Sequence, residues 1–388
     1  MNQPAETRPA DQATLFAILT PPGRGAVATV GLRGPRAVAI VARRFSPAAG
    51  KPLTEFPLGR VLFGRFRGEA AAEEELVVGL VAPDEVEVHC HGGLAAIEAI
   101  AAALVAEGAT RIDWQTWSQQ IEPDRFASEA LVALADARTE RTAAVLLDQY
   151  RGALREEILR IASDLRQADA SAATAGLMRL LDRVELGRHL TRRWRVVIAG
   201  RPNAGKSSLI NALLGFQRSI VFAEPGTTRD VLTATTALDG WPIELADTAG
   251  LRASGDAIEA EGVERALRQV RQADLVLLVC DVTADWSMHE GDVLATAKRA
   301  LVIHHKCDLA EPPRDGRPVG LAVSSLSGDG IDKLCQQIAG GLVPNPPQPG
   351  EGIPINDRQT HWLKQALDAV QRNQSAAAKF ALAELTKP

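Results

Sequence analysis

Cysteine is scarce in this sequence, and its spacing excludes two common kinds of site. Among 388 residues there are four cysteines, no two of them in a C-x-x-C pair: Cys90, Cys280, Cys307 and Cys335. Neither a disulfide framework nor a zinc site is therefore expected. Long apolar runs are also lacking, and residues 1–11 have no basic segment followed by an apolar one. We expect a soluble, cytoplasmic protein with no membrane partner.

Excess positive charge is absent as well. The formal net charge is -5, from 43 Lys and Arg against 48 Asp and Glu. This balance excludes a protein that coats nucleic acid or an anionic membrane through a global positive field, so any contact with RNA must be local. The length is too great for one ordinary core and predicts two or three domains.

Changes of pattern along the chain mark these domains. Short strand-like runs and one Ala-rich helix indicate a small α+β domain, followed by a nearly glycine-free helical segment. Strands and helices then alternate, and after a Pro-rich linker the tail is helical again. We expect the two helical stretches to pack together, with the α/β domain inserted between them. The predicted boundaries are 1–10 (disordered tail), 11–118 (α+β domain), 119–194 (first stretch of the helical domain), 195–342 (α/β domain) and 343–388 (linker and second stretch of the helical domain).

A glycine-rich loop directly follows the apolar run 195–199. Residues 200–207 match the G-x-x-x-x-G-K-[ST] pattern, and a helical run comes next. In such a loop backbone N–H groups converge on phosphate, the lysine reaches the terminal phosphates, and the serine supplies a magnesium ligand. A chance glycine turn is the alternative, and the flanking strand and helix argue against it. The predicted phosphate-binding residues are Asn203, Ala204, Gly205, Lys206, Ser207 and Ser208.

Two further segments have the order and spacing of nucleotide switches. One is Asp247-Thr248-Ala249-Gly250, after the apolar run 243–246. Its aspartate can hold magnesium through water, and its glycine N–H can meet the γ-phosphate. The other is Gly226-Thr227-Thr228, in which Thr228 is the candidate magnesium ligand that binds only when the γ-phosphate is present. Ordinary turn chemistry is the alternative for each segment taken alone.

The segment His305-Lys306-Cys307-Asp308 follows a strand-like run, where GTPases carry N-K-x-D. Asp308 can accept from the N1–H and the exocyclic amine of guanine, a donor pair that adenine lacks, so an ATPase is disfavoured. Histidine replaces asparagine at the first position, and we expect this exchange to affect the usual amide contact and its brace to the phosphate loop. Ser324 and Ser325 occupy the place of the loop that backs the base.

These motifs resemble those of the tRNA modification GTPase family MnmE, also called TrmE. The resemblance rests on residues 200–208, 226–230 and 247–252 and extends to 11–34, 87–93, 129–165 and 357–359, which together span most of the chain. It implies an N-terminal dimerisation domain that binds a formyl-tetrahydrofolate, a helical domain, and a P-loop GTPase domain inserted in it. The expected fold class is thus multidomain α/β and α+β.

The resemblance further implies a magnesium-dependent, potassium-stimulated GTPase that works as a homodimer with the flavoprotein MnmG on the wobble uridine of tRNA. It implies potassium ligands at Asn203, at Thr227 and at backbone carbonyls of Phe222 and Glu224. Glu259 falls where the family keeps a glutamate that orients the attacking water. A solvated glutamate at a helix start is the alternative for this residue.

Departures from the family pattern bear on the RNA chemistry. Gly31 stands where the family has a folate-contacting arginine, with Arg33 as a candidate substitute on the same strand face. Residues 112–118 lack the segment with the folate-binding lysine, so only Glu87 matches, which argues against bound 5-formyl-tetrahydrofolate. The sequence ends without the family's C-I-G-K motif, whose cysteine is implicated in the modification. These departures favour a rival, a paralogous regulatory or assembly GTPase without tRNA-modifying chemistry, whereas the near full-length resemblance favours the family role.

Overall fold

The computed structural model describes residues 13–21, 25–68, 73–122, 124–216, 233–247, 259–286, 288–312 and 316–387. The chain divides into two compact units, Met1–Pro123 and Asp124–Pro388. Among the described residues, no helix is both long enough and apolar enough to cross a membrane.

The first unit is built on a mixed sheet. Its described strands are β1 (Leu15–Ile18), β2 (Val27–Arg33), β3 (Phe45–Pro47), β4 (Val61–Arg67), β5 (Glu73–Ala82), β6 (Glu85–His91) and β7 (Thr110–Arg111). They lie in the order β3-β4-β5-β6-β2-β1-β7, and neighbours are antiparallel except β1 and β7. The helices of this unit are α1 (Ala37–Arg44), α2 (Leu94–Ala106) and α3 (Trp114–Ile121).

Alternation along these strands separates an apolar face from a more polar one. Val30 and Val88 are register partners on β2 and β6, and both are fully buried in one core with Leu104 of α2. The next pair along the same two strands, Gly31 and Glu87, lies on the opposite face. Because side chains alternate with a period of two, one face packs on α1 and α2, and the other carries polar groups and is covered at Gly31 by α3.

The second unit begins with five helices. They are α4 (Arg125–Ala135), α5 (Glu140–Tyr150), α6 (Ala153–Arg166), α7 (Ala170–Asp182) and α8 (Val184–His189). Local capping explains where several of them begin, since the side chains of Asp124, Thr139 and Asp169 accept hydrogen bonds from N–H groups in the first turns of α4, α5 and α7.

An α/β domain follows. Its described strands are β8 (Trp194–Ala199), β9 (Thr233–Leu238), β10 (Trp241–Asp247), β11 (Leu275–Asp281), β12 (Ala300–His305) and β13 (Leu321–Val323). Its described helices are α9 (Lys206–Phe216), α10 (Glu259–Gln272), α11 (Met288–Thr296) and α12 (Ile331–Leu342). The strand order is β13-β12-β11-β8-β10-β9, parallel except for β9. The carboxyl ends of the parallel strands therefore meet at one edge, where open α/β sheets bind ligands.

The chain returns to the helical domain with α13 (Asp357–Gln371) and α14 (Ser375–Thr386). Leu363 of α13 shares a buried core with Leu177 of α7. Glu129 of α4 also joins the two stretches, because its carboxylate accepts from Arg358 at 2.6 and 2.9 Å and from Gln359 at 2.7 Å. The predicted insertion of an α/β domain between two helical stretches is confirmed.

Helix α5 holds the turn between β9 and β10. Thr139, the N-cap of α5, donates from Oγ1 to the Gly240 carbonyl at 2.6 Å. Arg141 donates to the Asp239 carboxylate at 2.5 Å and lies over the Trp241 ring at 4.5 Å. The hairpin that ends at Asp247 is therefore anchored at its opposite end to the helical domain.

Candidate functional site

The loop between β8 and α9 has a backbone that few residue types tolerate. Gly200, Asn203 and Gly205 have φ of +145°, +62° and +95°. A Cβ at Gly200 would overlap the carbonyl oxygen of Val279, and a Cβ at Gly205 would overlap the imidazole of His305. Both positions therefore require glycine. The loop ends at the amino terminus of α9, where N–H groups and the helix dipole favour an anion.

Lys206, the first residue of α9, is buried against this loop. Only 6% of it is exposed, and its Nζ donates to the carbonyl oxygens of Gly200 and Arg201 at 3.0 and 2.8 Å. A buried ammonium needs acceptors, and a phosphate oxygen is a stronger acceptor than a carbonyl. The loop thus holds a cation where it can meet the phosphates of a nucleotide.

Ser207 meets Asp247 at the same edge of the sheet. Ser207 Oγ donates to Asp247 Oδ2 at 3.4 Å, and Asp247, the last residue of β10, is buried. Mg²⁺ prefers oxygen ligands and is held at such sites by one or two protein groups together with substrate phosphates and waters. The hydroxyl and the carboxylate therefore fit a magnesium ion.

His305, at the end of β12, bridges the phosphate loop and the base-backing loop. Its Nδ1 is 2.9 Å from the Ala204 carbonyl oxygen, and its Nε2 is 2.8 Å from Ser325 Oγ. Burial of the ring lowers the pKa of His305, against the hydrogen bond to Ala204, which raises it. From the sequence we expected that histidine in place of asparagine would affect the brace to the phosphate loop. The imidazole of His305 makes this brace itself.

Lys306 also ties the base-reading segment, residues 305–308, to the phosphate loop. Its backbone is left-handed, with φ of +66°, and its Nζ donates to the Asn203 carbonyl at 2.9 Å and to Asp281 Oδ2 at 2.6 Å. Burial opposes ionisation of Asp281, but hydrogen bonds from Lys306 and Thr283 prevail and lower the pKa of this carboxyl. An ionised Asp281 therefore holds Lys306 against the phosphate loop.

The base-reading residues lie at the ends of β12 and β13. Asp308 is exposed two residues beyond Lys306. Ser324 is fully buried, and its Oγ accepts from the N–H groups of Leu326 and Ser327, both at 3.2 Å. A hydroxyl that accepts from the chain ahead of it shapes a turn. The loop after β13 is thereby fixed next to His305.

A cavity of about 500 Å³ collects residues from three of the four predicted motifs, among them Asn203, Gly205, Lys206, Ser207, Ser208, Asp247 and Lys306. The other predicted switch and potassium residues lie outside the described residues: Phe222, Glu224, Gly226, Thr227, Thr228, Thr248, Ala249 and Gly250. Glu259 begins α10, and its side chain also lies outside the described structure.

The folate-binding pattern fails first at Gly31. A Cβ there would lie 2.7 Å from Trp117 Cζ2 and 2.9 Å from Leu19 Cδ1. Trp117 is itself buried, with 4% of its surface exposed. The indole of α3 therefore fills the space that a side chain at position 31 would need.

The remaining candidates for folate binding contact protein groups. Arg33 donates from Nη1 to the Gln120 carbonyl at 3.3 Å. Glu87 Oε2 lies 3.2 Å from His89 Nε2. Both side chains are partly exposed, so the closed position 31 is the observation that argues against a bound formyl-tetrahydrofolate.

Two side chains important for these sites were absent from the sequence prediction. Asp281 ends the buried strand β11, and an aspartate at the carboxyl end of a parallel strand was a signal in the sequence, as it was for Asp247. Trp117 carries no such signal, because its position over Gly31 depends on how α3 packs against the sheet.

The phosphate loop, the Ser207–Asp247 pair and the base loop at one edge of a parallel sheet define a P-loop GTPase. Two family models match the chain. The model described as 50S ribosome-binding GTPase covers residues 195–306, and the model described as GTP-binding protein TrmE N-terminus covers residues 14–113.

Curated relatives match along nearly the whole chain. The tRNA modification GTPase MnmE of Moorella thermoacetica is 31% identical, with 94% of this chain and 89% of the relative covered. That of Chloroflexus aurantiacus is 34% identical, with 96% of this chain and 91% of the relative covered. The chain belongs to the MnmE family of tRNA modification GTPases.

Proposed function

We propose that this protein hydrolyses GTP and uses the hydrolysis to switch between conformations. The observation that carries the proposal is the double tie between the two loops: His305 contacts Ala204, and Lys306 contacts Asn203. Because the base-reading segment and the phosphate loop are held together, one site can bind both the base and the phosphates of a nucleoside triphosphate. Asp308 then selects guanine through the N1–H and the exocyclic amine.

The roles of the phosphate-side residues follow from their chemistry. Lys206 stabilises negative charge on the terminal phosphates, and Ser207 and Asp247 hold magnesium, Asp247 through water. Magnesium supplies Lewis-acid stabilisation of phosphate charge. Thr228 is the proposed second magnesium ligand, and Glu259 is the proposed residue that orients the attacking water.

Potassium is the proposed second cation, held by the side chain of Asn203, by Thr227 and by the carbonyls of Phe222 and Glu224. Support comes from the described member of this set, since Asn203 is exposed at the rim of the phosphate cavity. A monovalent cation at this place supplies positive charge between the β- and γ-phosphates.

We further propose a role in modifying the wobble uridine of tRNA, in the cytoplasm, as a homodimer and with a flavoprotein of the MnmG type. Support comes from the names of the relatives and from similarity over 94% of the chain, which includes the N-terminal domain. A purely regulatory or assembly GTPase is the alternative: the closed strand face at Gly31 favours it, whereas the similarity over 94% of the chain favours the family role.

Phosphate release from GTP tests the hydrolysis. We expect turnover that is faster in potassium than in sodium, loss of turnover in Lys206→Ala, and normal turnover in Lys364→Ala, which removes an exposed lysine of α13. Equal rates in the two salts would reject the potassium role. Normal turnover in Lys206→Ala would reject the site.

The RNA role needs a separate measurement. Mass spectrometry of tRNA nucleosides from a strain that lacks its own MnmE should show restored modified uridine with the wild-type chain and not with Lys206→Ala. An active GTPase that restores nothing would favour the regulatory alternative.

A further inference from the structure

We propose that His305 prevents this site from recognising N7 of guanine. The imidazole donates its single N–H to the phosphate loop, so guanine is selected through its Watson–Crick edge alone. The inference rests on the proposed binding of guanine nucleotides. It concerns which atoms of the base this chain recognises. Histidine stands at the first position of the base-reading segment, residues 305–308.

Counting donors gives the first step. The side chain of asparagine has two N–H donors and one acceptor, so it can donate to a loop carbonyl and to a base at the same time. Neutral histidine has one donor and one acceptor. N7 of guanine is an acceptor and needs a donor. A histidine that donates elsewhere has nothing left to offer N7.

The proton on the ring can be placed from the two contacts. The Ala204 carbonyl, 2.9 Å from Nδ1, can only accept, so Nδ1 carries the hydrogen. Nε2 is then an acceptor, and the Ser325 hydroxyl at 2.8 Å donates to it. Both ring nitrogens are thus engaged by protein groups.

The surroundings hold the ring in this orientation. His305 is 4% exposed, and it packs so closely on Gly205 that a Cβ there would overlap Cε1 and Nδ1. Burial also lowers the pKa of His305, which keeps the ring neutral at physiological pH. The imidazole therefore gains no second N–H donor by protonation.

Competition between GDP and 7-deaza-GDP, in which a C–H replaces N7, tests the proposal on the full chain. For the wild type we expect dissociation constants within about twofold of each other. His305→Asn supplies a second donor and should prefer GDP by about fivefold or more. A wild type that discriminates against 7-deaza-GDP by about tenfold would overturn the proposal.

Two controls separate the possible failures. If neither nucleotide binds to the wild type, guanine-nucleotide binding itself is wrong. Nitrogen-15 NMR of the imidazole needs no variant that folds, because it reports the tautomer of the wild type directly. The Nδ1–H tautomer supports the proposal, and the Nε2–H tautomer contradicts it.

Discussion

At the residue scale, guanine selectivity rests on one exposed carboxylate. Asp308→Asn replaces an acceptor pair with a group that also donates, which leaves the N1–H and amine of guanine poorly matched. We expect GTP affinity to fall by about 2 kcal/mol or more. Glu311→Gln makes the same chemical change on another exposed carboxylate and should leave affinity unchanged. Nucleotide competition measures both, and an unchanged affinity in Asp308→Asn would remove the residue from the site.

His305 gives a second prediction at this scale, for stability against pH. Burial lowers its folded-state pKa below the ordinary 6.5, so the unfolded chain binds more protons as the pH falls through that value. The stability that the neutral, buried imidazole contributes is therefore present above about pH 7. It is lost as the pH falls from there towards the folded-state pKa. Over this window the melting temperature should fall more steeply with decreasing pH for the wild type than for His305→Asn. Equal slopes of melting temperature against pH would show that the ring does not titrate in this way.

At the scale of elements, the packing of α3 on β2 decides whether folate can bind. Gly31 is covered by Trp117, and no side chain fits between them. We expect titration calorimetry with 5-formyl-tetrahydrofolate to show no saturable binding, even at millimolar ligand. GDP in the same calorimeter shows that the preparation binds its nucleotide. Saturable folate binding would mean that α3 moves away from the sheet.

At the scale of the whole molecule, the helical domain depends on contacts between residues far apart in sequence. Arg358→Ala removes the closer of two guanidinium groups from the mostly buried carboxylate of Glu129 and leaves Arg125 at 3.4 Å, and we expect a loss of about 2 kcal/mol in the free energy of unfolding. Arg372→Ala breaks an exposed pair with Asp368 and should cost less than about 0.5 kcal/mol. Denaturant unfolding compares the two. Similar losses would show that the Glu129 pair is no stronger than a surface pair.

The phosphate site was predictable because its components are local. The glycine pattern, the buried strand before it and the helix after it are contiguous, so Lys206 and Ser207 could be placed from sequence. The partner of Lys306 was not, because Asp281 is 25 residues away and reaches it only across the sheet. The same holds for Trp117 and Gly31, which meet through the packing of a helix on a strand.

By itself the sequence determined the class of domain, the order of the nucleotide motifs and the insertion of the α/β domain between two helical stretches. These follow from periodicity and from short motifs, which depend on neighbours along the chain. Only the tertiary structure decided that the imidazole of His305 braces the phosphate loop and that Trp117 closes the strand face at Gly31. Both outcomes depend on distances between side chains that are remote in sequence. They also depend on which polar atoms are buried and must therefore find a hydrogen-bond partner within the protein.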